Sequence, residues 1–202
     1  MTTRQAKRER ATKETSISVS VVIDGTGNVD VSTGVPFFDH MLSQLGKHGG
    51  MDLSIQCTGD LEIDTHHTIE DVGIALGEAF REALGDKAGV RRFASIAVPL
   101  DEALIDVAVD LSGRPFIVYE VDPSGGTGQT FLLGEPGFDP QLTEEFWRAF
   151  VMASMITLHV RMISGKNTHH IIEASFKAVA RALRDAVRVE SAGGVPSTKG
   201  TL

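Results

Sequence analysis

The sequence contains an internal repeat that begins at two adjacent histidines. A shift of 103 positions places Thr65-His66-His67-Thr68-Ile69-Glu70 on Thr168-His169-His170-Ile171-Ile172-Glu173. Nine of the nineteen residues from 65 to 83 are identical to their partners, and the surrounding order of helix, strand, turn and helix repeats as well. Self-similarity at a fixed spacing is the signature of duplicated structural units. The sequence therefore predicts two related halves that meet in the loop near residues 85–95.

Both halves mix strand and helix patterns. Residues 15–23 alternate polar and β-branched apolar side chains, as a half-buried strand does, whereas 65–84 and 168–187 carry apolar residues at helical spacing. Such a mixture predicts an α+β fold. The first repeat is predicted to span residues 1–90 and the second 91–202, within one compact unit.

Three further predictions concern the two ends and one turn. Residues 1–13 are basic and polar, with no apolar segment behind them, so they predict a flexible arm rather than a secretion signal. Residues 191–202 are rich in Gly, Ser and Pro and predict a tail. Residues 116–121 follow the turn at 112–115 and are predicted to pair with the preceding strand as a hairpin.

Composition excludes several classes of protein. The formal net charge of −8 and the pI near 5.3 argue against a general nucleic-acid or anionic-membrane binder, which needs clustered positive charge. The sequence has no apolar run long enough for a membrane helix. Its single cysteine, Cys57, excludes an internal disulfide framework and a cysteine-rich zinc site, and it indicates a reducing, cytoplasmic environment.

The repeated His-His-x-x-Glu motifs predict a site for two metal ions. Each motif opens a helix that Asp64 or Asn167 is predicted to cap. Neighbouring helix residues point about 100° apart, so adjacent histidines suit two ions better than one, and a glutamate three or four residues on shares a face with them. Each half adds one further histidine from a different element. Together they supply four ligands for each of two ions: His40, His66, His67, Glu70, His159, His169, His170 and Glu173.

The chemistry of these ligands narrows the choice of metal ion. Imidazole and carboxylate groups without thiolates suit Mn²⁺ or another divalent transition ion in octahedral geometry, with open positions for a substrate. His48 is predicted to be an ordinary hydrogen-bonded polar residue. Side chains suited to a phosphate group are Arg92, Arg114, Lys177, Ser197 and Lys199. Spacing alone favours the interpretation that each of these last residues is a solvated surface group.

Longer motifs resemble one known family. The segments Phe37-Phe38-Asp39-His40-Met41-Leu42, His66-His67-Thr68 and Pro196-Ser197-Thr198-Lys199-Gly200, with the surrounding residues, are similar to those of imidazoleglycerol-phosphate dehydratases. The resemblance covers residues 14–202. It implies two pseudo-symmetric halves of the kind seen in the second domain of ribosomal protein S5, with sheets packed on helices. It also implies a homo-oligomer, a 24-subunit octahedral shell with sites between subunits, and no nucleic-acid or membrane partner.

The resemblance further implies a reaction and the residues that perform it. The reaction is the dehydration of D-erythro-imidazole-glycerol phosphate to imidazole-acetol phosphate and water in histidine biosynthesis, with two Mn²⁺ per active site. Glu14 and Glu173 match the family's acid and base. The residues that match its contacts to the substrate and its phosphate are Gln44, Arg92, Arg114, Lys177, Ser197 and Lys199.

A mechanism consistent with these ligands uses the imidazole ring as the electron sink. The proton to be removed lies on a carbon without a neighbouring carbonyl, so it is not acidic. Two metal ions on the two ring nitrogens would favour an imidazolate, which can expel the adjacent hydroxyl to give a diazafulvene-like intermediate. Two other functions remain open from the residues alone. They are a dinuclear metallohydrolase, which usually needs more aspartate ligands, and a non-catalytic metal-storage shell.

Overall fold

The computed structural model describes residues 3–190, 194–200 and 202, and it shows the same series of elements twice. The first half runs β1 Gln5–Ala11, β2 Thr15–Val22, β3 Val29–Ser32, α1 Pro36–Gly49, β4 Asp52–Gly59 and α2 His66–Leu84. The second half runs β5 Phe93–Leu100, β6 Ala103–Asp110, β7 Phe116–Glu120, α3 Leu142–Ser154, β8 Thr157–Ser164 and α4 Thr168–Ala186. The duplicated order predicted from the repeat is therefore present in the fold.

Each half forms one four-stranded sheet with the same topology. The strand orders are β1-β2-β4-β3 and β5-β6-β8-β7. The first three strands of each sheet are antiparallel, and the last pair, β3 with β4 or β7 with β8, is parallel. A parallel pair needs a crossover connection, and α1 and α3 supply it.

The helices of the two halves pack against one another between the sheets. Helix α1 contacts α4, and α2 contacts α3, while α2 also covers β1 and β2 and α4 covers β5 and β6. Aromatic side chains fill the interior, where Phe146 stacks on Phe176 with ring centroids 5.4 Å apart and Trp147 is fully buried. The α+β class with sheets on helices is confirmed. Because each helix pair joins one helix from each half, the halves share a core.

The prediction of a flexible N-terminal arm is wrong. Residues 5–11 form β1, which pairs antiparallel with β2 from Gln5 opposite Val22 to Ala11 opposite Ser16. The charged residues in this stretch obscure the alternating pattern of a strand. They are tolerated because β1 lies at the edge of its sheet, where charged side chains are common. Arg10 also donates to Oδ1 of the buried Asp71 over 2.9 and 3.0 Å, which ties the strand to α2.

The predicted hairpin of residues 116–121 with the preceding strand is also wrong. Strand β7 pairs in parallel with β8, and both edges of β6 are occupied by β5 and β8. The turn at 112–115 therefore carries the chain across the sheet rather than back along its neighbour. Between β7 and α3 the second half also has a long connection, residues 121–141, where the first half has only residues 33–35. No helix of the described chain has the length and apolar character needed to cross a membrane.

Candidate metal centre and anion site

A constant offset relates the two halves around α1 and α3. Both helices end in a left-handed residue, Gly50 at φ 67° and Met155 at φ 58°, and the strands that follow begin at Asp52 and Thr157. The offset is 105 residues throughout this region. The counterpart of His40 on α1 is therefore Glu145 on α3.

Contact between α1 and α4 gathers three of the predicted ligands. Nε2 of His40 lies 3.1 Å from Oε2 of Glu173, and Nε2 of His169 lies 2.9 Å from the same oxygen. All three ligand atoms lie within 4.8 Å of one another, and among the described residues this is the one such group of three. The ring of Phe37 meets that of His169 edge-on at 5.2 Å and helps to hold it. One divalent ion fits this donor set.

The carboxylate of Glu173 is kept charged by its neighbours. Its side chain is 12% exposed, and burial alone would raise its pKa. Hydrogen bonds from Lys177, His169 and His40 outweigh burial and lower the pKa to about 2, with Lys177 Nζ 2.6 Å from Oε1. The glutamate is therefore held as an anion, the form that can bind a metal ion.

Two more side chains on α1 extend this cluster. Gln44 lies between two histidines, with its Nε2 at 3.4 Å from Nδ1 of His40 and its Oε1 at 3.2 Å from Nε2 of His48. Burial, together with the positive charges of Lys177 and Arg181, lowers the pKa of His48 and favours its neutral form. His48 is thus a hydrogen-bonded polar residue, as the sequence predicted.

The contact between α2 and α3 is the equivalent place in the other half, but among the described residues it does not gather three ligand atoms at one point. Nε2 of His66 lies 3.8 Å from Oε2 of Glu70, one helical turn away. His66 and Glu145 line the same cavity, as His40 and His169 share the first cluster. Sequence reasoning missed Glu145 because it looked on this helix for a histidine. The 105-residue offset that pairs Leu53 with Leu158 would have pointed to it.

Helix starts orient the adjacent histidines. Asn167 caps α4, because its Oδ1 accepts from the N–H groups of His169 at 2.9 Å and His170 at 3.2 Å. In α2 the cap position is Thr65, one residue later than predicted, although Asp64 Oδ1 still accepts from the His66 N–H at 2.8 Å.

The second histidine of each motif faces a different carboxylate. Nδ1 of His67 lies 3.0 Å from Asp60 Oδ2, and Nδ1 of His170 lies 2.8 Å from Glu102 Oε2. The hydrogen bond to Asp60 raises the pKa of His67. The Nε2 atom of His67 lies 3.9 Å from Oε1 of Glu14, the predicted acid or base.

His159 is not brought to either group of ligands. It lies on β8 between the buried residues Leu158 and Val160, so its side chain is on the face of the sheet turned away from the helices. Within one chain it is separated from the helix starts that carry the other histidines.

The predicted phosphate residues divide between two places. One cavity is lined by Arg92, Arg114, Pro196, Ser197, Thr198 and Lys199. Lys177 does not line that cavity but lies beside Glu173 on α4. The cavity carries positive charge and a hydroxyl group, as an anion site requires.

Arg92 is the most firmly held member of the anion cavity. Its guanidinium donates to both oxygens of Asp110 at 2.7 and 3.2 Å and to the carbonyl of Pro196 at 2.8 Å. It also lies over the ring of Phe93, 4.4 Å from the centroid. These contacts fix the 196–199 segment beside β5.

The chain is similar to known proteins in family, in sequence and in structure. The family model described as imidazoleglycerol-phosphate dehydratase matches residues 33–183. The imidazoleglycerol-phosphate dehydratase of Acidothermus cellulolyticus is 58% identical over 199 residues, which cover 98% of this chain and 93% of that protein. That of Thermobifida fusca is 54% identical over 195 residues, covering 96% of each.

Solved structures give the same answer. The imidazoleglycerol-phosphate dehydratase of Staphylococcus aureus superposes with a TM-score of 0.79 at 35% identity, over 92% of this chain and 99% of that one. The enzyme of Pyrococcus furiosus, solved in complex with (S)-C348, also has a TM-score of 0.79, at 37% identity, over 96% and 100% of the two chains.

Proposed function

The chain belongs to the imidazoleglycerol-phosphate dehydratase family, hydro-lyases of histidine biosynthesis, and from this premise we propose how its own residues carry out the dehydration. The substrate is D-erythro-imidazole-glycerol phosphate and the products are imidazole-acetol phosphate and water. The single observation that carries the proposal is the cluster of His40, His169 and Glu173, with two imidazole nitrogens and a carboxylate oxygen at one point.

Two Mn²⁺ ions per active site are the cofactor we propose. Their donors would be those predicted from the sequence. One group of ligands would be His40, His169 and Glu173. A second group would include His66 and Glu70. His67 and His170 would each add one nitrogen. His159 would join only where another subunit approaches the outer face of its sheet. This donor set consists of nitrogen and oxygen atoms without soft thiolates, and such a set suits manganese.

The site is proposed to lie between subunits of a homo-oligomer. The three-residue cluster supplies fewer ligands than an octahedral ion needs, and the group at His66 lies on a different helix pair. Large apolar side chains are also exposed, among them Phe93, Phe116 and Phe131 at 55, 61 and 76%. Such surfaces suit contact with further copies. The proposed assembly is a 24-subunit octahedral shell, and the cytoplasm remains its predicted location.

Bound divalent ions would stabilise negative charge on the imidazole ring, so that loss of the neighbouring hydroxyl through a diazafulvene-like intermediate becomes feasible. The protein supplies the proton transfers. One carboxylate removes the proton from the carbinol carbon, and the departing hydroxide takes up a proton and leaves as water. An acid then returns a proton to the carbon beside the ring while the enol O–H gives up its proton, so the enol becomes the ketone. Glu14 and Glu173 are the proposed pair, because each lies beside a motif histidine.

The phosphate group of the substrate is proposed to bind at Arg114, Ser197 and Lys199. Arg92 would hold the segment in place as well as add charge, because Asp110 already accepts from two of its nitrogens. Lys177 and Gln44 would contact the substrate nearer to the metal cluster, where both side chains lie. Binding from both ends would hold the reacting carbons against the carboxylates.

The test is a ketone-forming assay with imidazole-glycerol phosphate, with and without Mn²⁺. Ketone release that depends on Mn²⁺ is the expected result. Release of inorganic phosphate instead would support a metallohydrolase, and bound metal with unchanged substrate would support a metal-storage shell. Either of these results would overturn the proposed chemistry.

A further inference from the structure

The two halves present their second motif histidine in the same way but hold it with carboxylates from different places. Asp60 accepts from Nδ1 of His67 with both oxygens, at 3.0 and 3.2 Å. Glu102 lies 2.8 Å from Nδ1 of His170. In both rings Nε2 is left directed away from that carboxylate.

A hydrogen bond of this kind decides which ring nitrogen can bind a metal. When Nδ1–H donates to a carboxylate, the neutral ring carries its lone pair on Nε2, and the ring cannot rotate freely. Carboxylates in this position also make the imidazole a stronger ligand, and removing them typically weakens metal binding about 10–100-fold.

The chain positions of the two carboxylates are not equivalent. Glu102 immediately precedes β6, and its counterpart immediately before β2 is Glu14. Asp60 immediately follows β4, and its counterpart after β8 is Gly165. The first half thus orients its histidine from the loop after the strand, whereas the second half uses the turn before it.

This difference between the halves changes the role that is open to the glutamate in the turn before the strand. Glu102 is fully engaged, because one oxygen holds His170 and the other accepts from the N–H groups of Lys166 at 3.1 Å and Asn167 at 2.8 Å. The side chain of Glu14 is 52% exposed, and its oxygen lies 3.9 Å from His67 on the Nε2 side. The backbone N–H of Asp60 donates to the carbonyl of Glu14 at 3.1 Å, so the two residues are held together.

We propose that Asp60 and Glu102 are positioning residues that present Nε2 of His67 and His170 to metal, and that Asp60 takes over this task in the first half so that Glu14 is left for proton transfer. The inference rests on the proposed metal-dependent function. It adds two residues to the site, and both act through a histidine ring.

The first experiment determines the tautomers of the two histidine rings in the metal-free protein. Nitrogen-15 NMR of the metal-free protein should show His67 and His170 as Nδ1–H tautomers when they are neutral. Asp60→Ala should redistribute the His67 tautomers and leave His170 unchanged, and Glu102→Ala should do the reverse. Asp60→Asn, which keeps an acceptor oxygen, should restore much of the wild-type state. Glu62→Gln, an exposed carboxylate in the same loop, is the matched control.

The second experiment measures Mn²⁺ affinity by titration calorimetry on the same variants. Asp60→Ala and Glu102→Ala should each bind Mn²⁺ about 10–100-fold more weakly, with Asp60→Asn in between and Glu62→Gln unchanged. Circular dichroism confirms that each variant is folded. Unchanged tautomers in both alanine variants would overturn the inference. Failure of the wild-type protein to bind Mn²⁺ would overturn the proposed function instead, since the tautomers are read without metal.

Discussion

The two halves of the molecule share a scaffold and differ in their polar groups. Strand order and helix packing repeat, and even the left-handed residue after the first helix recurs as Gly50 and Met155. The cluster on α1 and α4 has two histidines and a glutamate, whereas its counterpart on α2 and α3 has His66, Glu70 and, at the position of His40, Glu145. A duplicated fold can therefore keep its packing while its ligands diverge.

A second difference lies beneath the motif glutamates. In the first half Asp71 follows Glu70, is buried, and accepts from Arg10 and from the Thr15 hydroxyl at 2.5 Å. In the second half Ala174 follows Glu173 and is fully buried among apolar groups. One half secures its edge strand with a polar network, and the other secures it by apolar packing.

The largest expected effect comes from removing one histidine of either motif. His67→Ala and His170→Ala should each lower the bound metal and abolish dehydration, because equivalent helix starts would each supply a ligand. Metal analysis and the ketone-forming assay check this on the same samples. Full activity with unchanged metal content in either variant would end the assignment of a two-metal site to the duplicated motifs.

Substitution of Asp71 and Ala174, the residues that follow the motif glutamates, tests whether the polar network and the apolar packing are specific to their halves. Asp71→Ala should cost about 3 kcal/mol of unfolding free energy, because it leaves the partly buried Arg10 and Thr15 without their acceptor. Ala174→Asp should cost more than Asp71→Ala, since it buries a carboxylate with no cation opposite. Urea denaturation measures both. Equal, small losses would mean that the two halves tolerate the same groups.

A smaller effect is expected at the anion cavity, which lies in the second half. Lys199→Ala should lose about 1.5–3 kcal/mol of substrate binding, since it removes a charge-assisted contact. We expect KM to rise and kcat to fall, because the phosphate is the remote group that positions the reacting carbon. Metal content should not change. Wild-type kcat/KM with full metal would remove Lys199 from the site.

Chelation should affect the assembly more than the fold of each chain. If ions bridge subunits, their removal withdraws the stability that binding adds to the assembled state. Light scattering after chelation should then show smaller species, while circular dichroism keeps the α+β signal. Particles of unchanged size after verified metal removal would show that apolar contacts alone hold the assembly together.

Much of this architecture could be predicted because the repeat shows which residues of the two halves correspond. The long helices, the mixed class and the Asn167 cap follow from local patterns that packing reinforces. Strand β1 was missed because an edge strand needs few apolar residues, and the pairing of β7 was missed because parallel partners lie far apart in sequence. Asp60 and Glu102 could not be assigned to the histidines, since only tertiary structure brings them to the rings.

Ligands from the two halves are proposed to meet in one site across subunits. The most direct measurement mixes two inactive variants, His169→Ala from the α1–α4 cluster and His66→Ala from the α2–α3 group, by dissociation and reassembly. If each site takes one group from each of two subunits, random mixing should restore roughly a quarter of wild-type dehydration. Activity no higher than that of the separate variants, in particles shown to contain both chains, would show that the two groups do not complete one site across subunits.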